Sequence, residues 1–134
     1  MYSKQAALSQ YKKIDTQSAI QGATPHRLIQ LLMSGAIDRM TQAKAAHQNN
    51  NIEQKGVQLG KAISIIAGLQ SSLDPAQSND IVENLDKLYD YMQRRLLEAN
   101  LKNDMDMIDE VVGLLAQVKS SWDAIDPVAN STEE

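Results

Sequence analysis

From Leu28 to Trp122 the apolar residues recur at alternating intervals of three and four, and no stretch alternates apolar and polar at every second position. That spacing returns side chains to one face of an α-helix and scatters them on a strand. Each periodic run is also bracketed by residues that start or stop helices. Thr24-Pro25 offers an N-cap followed by a proline at the first helical position. Asn49-Asn50-Asn51, Asp74-Pro75 and Asp126-Pro127 then interrupt the pattern where the backbone must turn.

These signals predict four long helices: Pro25 to about His47, Ile52 to about Leu73, Asp80 to about Leu101, and a fourth beginning after an N-cap at Asn103. The second places Leu59, Ala62, Ile66, Leu69 and Leu73 on one seam. The third places Ile81, Leu85, Leu88, Met92 and Ala99 there, and the fourth Ile108, Val111, Leu115, Val118 and Trp122. Asp104, Asp106 and Asp109 suit the positive end of the fourth helix dipole. Links of about 3–6 residues force neighbouring helices to run antiparallel. The expected fold class is all-α, an antiparallel up-and-down four-helix bundle over residues 25–125. Residues 1–24 form a leader, either extended or with a short helix from Lys4 to Lys12, and residues 126–134 a polar tail.

A chain of 134 residues supports one domain with one continuous core. Phenylalanine is absent and six methionines are present, so helices pack through aliphatic side chains with few rings. The formal net charge of −4 argues against nucleic-acid binding, which needs cations to neutralise phosphates. With no cysteine, disulfides, thiolate catalysis and thiolate metal sites are excluded. Met1-Tyr2-Ser3-Lys4-Gln5 opens no apolar signal sequence, and no stretch reaches the roughly 18 apolar residues of a membrane span. The expectation is a cytoplasmic protein without membrane insertion.

Catalytic and metal chemistry find no pattern. A di-iron bundle needs Glu-x-x-His pairs, but Ala23 and Lys44 stand three positions before His26 and His47. Both histidines are expected on the surface near helix ends. Gly56 to Ala62 resembles a phosphate loop only faintly: it is one residue short, lacks the Ser or Thr after Lys61, and lies in a helical pattern. The acidic run from Asp104 to Glu110 lacks the mid-loop glycine of a calcium loop. The expectation is a binding protein with no cofactor and no enzymatic activity.

Some features exceed what a bundle needs. On the first helix Leu28, Leu32, Ala36 and Ala43 form one stripe, and Ile29, Met33, Ile37 and Met40 form a second beside it. Leu31, Ile65, Leu97, Leu101 and Leu114 fall off their seams. Clustered on a surface, such residues mark a partner site. Gly60, Ser64 and Gly68 recur every fourth residue beside the second seam, where small side chains allow close approach.

Ser9-Gln10-Tyr11-Lys12 and Ala23-Thr24-Pro25-His26-Arg27-Leu28-Ile29 are similar to the Tyr-containing leader and first-helix start of a known family. The run Lys61 to Asp74 is similar to its second-helix signature. The closest stretch is Asn84-Leu85-Asp86-Lys87-Leu88-Tyr89-Asp90-Tyr91-Met92, continuing through Arg94-Arg95-Leu96 to Glu98-Ala99-Asn100. Asn103-Asp104, Ile108-Asp109-Glu110-Val111, Gly113-Leu114-Leu115 and Trp122 follow in order. Over about residues 9–125 the chain resembles the bacterial flagellar secretion chaperone family FliS. One departure is Leu32-Met33-Ser34-Gly35, where the family often has Leu-Tyr-Asp-Gly.

The resemblance implies a helical bundle that binds the disordered C-terminal segment of flagellin in the cytosol, blocks premature polymerisation and supports flagellar type III export. It also implies engagement of the export gate protein FlhA by the loaded complex. Candidate contacts are Tyr11, Leu28, Leu31, Met33, Ile37, Ile65, Leu69, Leu97 and Leu101, while Leu85, Leu88, Met92 and Trp122 are expected to hold the fold. A self-associating structural bundle with an apo homodimer interface, or an adaptor for another flagellar protein, are the alternative readings.

Overall fold

The computed structural model describes residues 22–74, 76 and 79–125. The leader, with the short helix expected from Lys4 to Lys12, the candidate contact Tyr11 and the C-terminal tail lie outside the described residues. Four helices follow in order: α1 (Pro25–Gln48), α2 (Ile52–Ser71), α3 (Asp80–Lys102) and α4 (Met105–Asp123). Each packs on its neighbours in sequence, and α4 closes the ring against α1. Short links reverse the chain each time, giving the expected antiparallel up-and-down bundle. The α1–α2 contact is the most extensive of the four.

The helix starts follow from capping chemistry. Thr24 accepts from the Arg27 amide at 3.1 Å, Asn51 from Gln54 at 3.1 Å, and Asn79 from Val82 at 3.0 Å. Each bond satisfies one amide that the first turn otherwise leaves unpaired. The fourth start corrects the expectation. Asp104, not Asn103, is the N-cap, accepting from the amides of Asp106 and Met107. Asn103 instead terminates α3 in the left-handed region at φ 53°. Asparagine tolerates that conformation better than most residues, so a two-residue link can end one helix and cap the next.

The core contains Leu32, Met33 and Met40 from α1, Leu59, Ile65, Ile66 and Leu69 from α2, Tyr89, Met92 and Leu96 from α3, and Ile108, Val111 and Leu115 from α4. On α3 the buried series is rotated from the expected seam. Ile81 is 72% exposed, Leu85 and Leu88 are half-buried, and Tyr89 and Leu96 enter the core. Two series with spacings of three and four overlap on this helix, and its neighbours select the second. Burial pushes the Tyr89 phenol up to about 12.

Polar side chains tie the two ends of the bundle. At one end Lys55, only 2% exposed, donates from Nζ to the Asn100 carbonyl at 3.2 Å and to Oδ1 of Asn103. Its charge sits against the C-terminal carbonyls of α3, where the helix dipole favours a cation. At the other end the Trp122 indole stacks on His26 with ring centroids 4.9 Å apart, and Nε1 donates to the His26 carbonyl at 3.0 Å. His26, expected as a surface residue, is therefore half-buried as part of the α1–α4 junction, and His47 is also half-buried.

Candidate partner-binding surface

The candidate contacts separate into three groups. Met33, Ile65 and Leu69 are fully buried. Spacing places Met33 on the second stripe of α1 and Ile65 off the α2 seam, but α1 and α2 are buried over a wider arc than a single seam, which absorbs both residues into the core. In this structure these three hold the fold and present no surface. Leu28, Leu31 and Ile37 are half-buried on α1 and pack against the core from its margin. Leu97 and Leu101 are exposed, by 55% and 83%. The structure therefore does not bring the expected residues onto one face.

A groove opens between the second half of α2 and the first half of α3. At about 100° per residue, Gly56, Gly60, Ile63, Ala67 and Gln70 share one sector of α2, and Asp86, Asp90, Gln93, Leu97 and Leu101 share one sector of α3. The two sectors approach each other near both ends. Near one end, a Cβ on Gly56 would lie 3.9 Å from Nδ2 of Asn100. Near the other, Gln70 Nε2 donates to the Asp86 carboxylate at 3.0 Å, and Gln93 Nε2 donates to Oε1 of Gln70 at 2.8 Å. This second region opens as a groove of about 490 Å³, with Ile63 and Ala67 as its apolar part and Asp86, Asp90 and the two glutamines around them.

The charge along the groove is uneven. Asp90 pairs with Arg94 one turn on, at 2.9 Å. The Asp86 carboxylate accepts from Gln70, and no lysine or arginine pairs with it among the described residues. Gly60 is exposed, and a Cβ there would meet nothing within 4 Å, so the backbone of α2 is open at that point. Of the expected small-residue row, only Ser64 and Gly68 are buried; Ser64 Oγ donates back to the Gly60 carbonyl at 3.0 Å.

Leu97 and Leu101 are legible from sequence as residues off their seam. The polar members of the groove are missed, although Asp86 and Asp90 one turn apart, followed by Arg94, form a pattern that marks a charged helix face. On the opposite edge of α3, Tyr91 and Arg95 both donate to Glu110 of α4, at 2.6 and 2.8 Å. The Tyr91 hydroxyl first, then the Arg95 guanidinium, holds the Glu110 carboxyl below its ordinary range. That edge is occupied by bonds within the bundle, and the α2–α3 groove is bridged by Gln70 and Gln93.

Among the described residues, no helix is long and apolar enough to cross a membrane. The sequence profile of the family described as flagellar protein FliS matches residues 7–129. The flagellar secretion chaperone FliSB of Pseudomonas aeruginosa is 47% identical over 119 residues, covering 89% of this chain and 94% of that protein. The flagellar secretion chaperone FliS of Vibrio cholerae is 46% identical over 121 residues, covering 90% of this chain and 89% of its own. The Salmonella typhimurium protein of the same name is 40% identical over 129 residues, 96% of either chain. With its four-helix ring and this match along nearly its whole length, the chain belongs to the FliS family of flagellar proteins.

Proposed function

We propose that this protein is a cytoplasmic export chaperone that binds the disordered C-terminal segment of flagellin, prevents its premature polymerisation and supports flagellar type III export. The observation that carries this reading is near-full-length identity to proteins named flagellar secretion chaperones. The surface is compatible with it. A client that folds into helices on binding needs exposed apolar side chains to offset the entropy of its ordering. Leu97 and Leu101 are exposed, and Leu28, Leu31 and Ile37 lie half-buried at the margin of α1. Each apolar side chain newly covered contributes up to about 1.5–3 kcal/mol, so several anchors are required. The loaded complex then engages the export gate protein FlhA. No step in this role requires catalysis or a cofactor.

Titration calorimetry with the C-terminal segment of flagellin from the same source tests the proposal. Saturable one-to-one binding with a negative heat-capacity change is expected, because apolar surface is buried as the client orders. A folded protein that shows no heat of binding would remove flagellin as the client. The exposure of Leu97 and Leu101 also suits the second reading, a homodimer of bundles. Sedimentation of the unloaded protein separates the two, since a dimer interface demands concentration-dependent association.

A further inference from the structure

We propose that the last two turns of α4, residues 116–123, form a strap that detaches from α1 as a unit while the rest of the bundle stays folded, with the contact between Trp122 and His26 as its clasp. The two halves of α4 are held differently. Ile108, Val111 and Leu115 have no exposed surface, whereas no residue after Leu115 is buried among those described. Val118 and Trp122 continue the apolar series but are only half-buried against the core. Among the described residues, the strap's hydrogen bonds to α1 gather at its tip. The Trp122 ring lies 14° from parallel to the His26 ring, its Nε1 donates to the His26 carbonyl, and Gln30 Nε2 donates to the Asp123 carboxylate at 2.7 Å. Lys119 pairs with Asp123 at 2.7 Å, but both belong to the strap and move with it.

Gly113 supplies the hinge. A Cβ there would meet nothing within 4 Å, so no close approach requires a glycine at this position. Glycine is the poorest helix former after proline, and in an α-helix its carbonyl is the one that the amide of Gln117, in the strap's first turn, bonds to. The helix is therefore easiest to break between its buried half and the strap. Opening has a defined consequence. At about 100° per residue, His26, Ile29, Gln30 and Met33 share one sector of α1, and the contacts of His26 and Gln30 turn that sector toward α4. Releasing the strap uncovers half-buried Ile29 together with Val118 and the face of Trp122, beside the start of α1. The closed bundle hides this apolar surface, and the open one presents it. The strap is a property of the bundle itself and stands whatever its client is.

Hydrogen exchange of the full chain, followed amide by amide across low urea concentrations, tests the strap. Amides 117–123 are expected to exchange as one group, faster than amides 108–115 and with a shallower dependence on urea, because their opening exposes little surface. His26→Ala removes the stacked ring but keeps the carbonyl acceptor, and should speed the whole group by up to about tenfold. His26→Phe keeps a ring against Trp122 and should return the group toward the wild-type rate. Gly113→Ala should slow it by up to about fivefold. Exchange of all α4 amides as a single group, with the steep urea dependence of global unfolding, would overturn the strap. So would rates that rise residue by residue toward Asp123 and ignore both His26 variants, which is the fraying of any helix end. The wild-type pattern and Gly113→Ala decide the question even where a His26 variant loses helicity.

Discussion

The α1–α2 pair and the α3–α4 pair are built by different physics. In α1 and α2 the buried arc is wide, and it takes in residues that a single apolar seam would leave outside, including Met33, Ile65 and Gly68. In α3 and α4 the buried set is narrower, and exposed charged groups form cross-links outside it. Arg95 joins Glu110 and Glu98, Lys102 joins Glu98, and Tyr91 donates to Glu110. Apolar burial carries no charge to titrate or screen, whereas exposed ion pairs contribute little and are screened. The bundle therefore has a side held by packing and a side trimmed by charge. The groove at Asp86 lies on the boundary between them.

The comparison is tested most strongly by truncating equivalent-looking residues on its two sides. Ile65 and Leu97 both fall off the seams expected from spacing, yet Ile65 is fully buried and Leu97 is 55% exposed. Ile65→Ala is expected to destabilise the fold by about 2–5 kcal/mol, from lost burial and the cavity left behind. Leu97→Ala should change stability by less than about 1 kcal/mol. Urea unfolding followed by circular dichroism reads both. Equal losses would mean that α3 is buried as widely as α2, and the distinction between the two sides would fail.

The next effect concerns the polar tie across that boundary. Lys55 of α2 is buried and serves the end of α3 through Asn100 and Asn103. Lys55→Met keeps the aliphatic stem but strands two acceptors and removes a cation from a helix C-terminus. A loss of about 1–3 kcal/mol is expected. Denaturant melts of Lys55→Met beside Asn103→Ala and the double variant measure the coupling. Strictly additive losses would show that the bond to Asn103 contributes nothing of its own.

Lys55 also marks where the sequence stops being informative. Helix starts are legible because capping is local: Thr24, Asn51 and Asn79 each sit three residues before the amide they accept from. At Asn103-Asp104 both residues are good caps, and only the left-handed φ of Asn103 decides between them. The core face of α3 is less legible. The series 81, 85, 88, 92 and the series 85, 89, 92, 96, 99 share members, and the choice belongs to the facing helices. Lys55 lies in a polar run, and its burial depends on Asn100 and Asn103, which are distant in the chain. The candidate site divides in the same way. Leu97 and Leu101 show in the spacing of one helix, while the groove at Asp86 needs Gln70 of α2 placed against it.

Glycines sharpen the comparison at smaller amplitude. Gly60 and Gly113 are exposed within helices, and a Cβ at either would meet nothing within 4 Å. Replacement by alanine is expected to stabilise each helix by about 0.5–1 kcal/mol, through lower unfolded-state entropy and better helix propensity. Thermal melts of Gly60→Ala and Gly113→Ala should both shift upward. Gly60 differs in leaving the α2 backbone open beside the small side chain of Ser64, so a client backbone that approaches there makes its substitution alone reduce client affinity. A stabilised Gly60→Ala that binds as tightly as wild type would show that no client backbone approaches α2 there.

The smallest expected effect is the pH response of the α3–α4 side. Glu98 and Glu110 are both held below the ordinary carboxyl range, Glu98 chiefly by its bond from Lys102 and Glu110 chiefly by its bond from Tyr91. A depressed folded-state value means that the ionised form is favoured by folding. Its contribution is therefore complete above the unfolded value, about 4.3 for glutamate, and is lost as pH falls through the lower folded value. Glu110→Gln should melt slightly below wild type at neutral pH, and the gap should close as the solution is acidified below about pH 4. Both carboxylates lie at the surface, so the gap should also shrink with added salt. If it persists through acid and salt, Glu110 acts through packing, and the α3–α4 side is held in the same way as α1–α2.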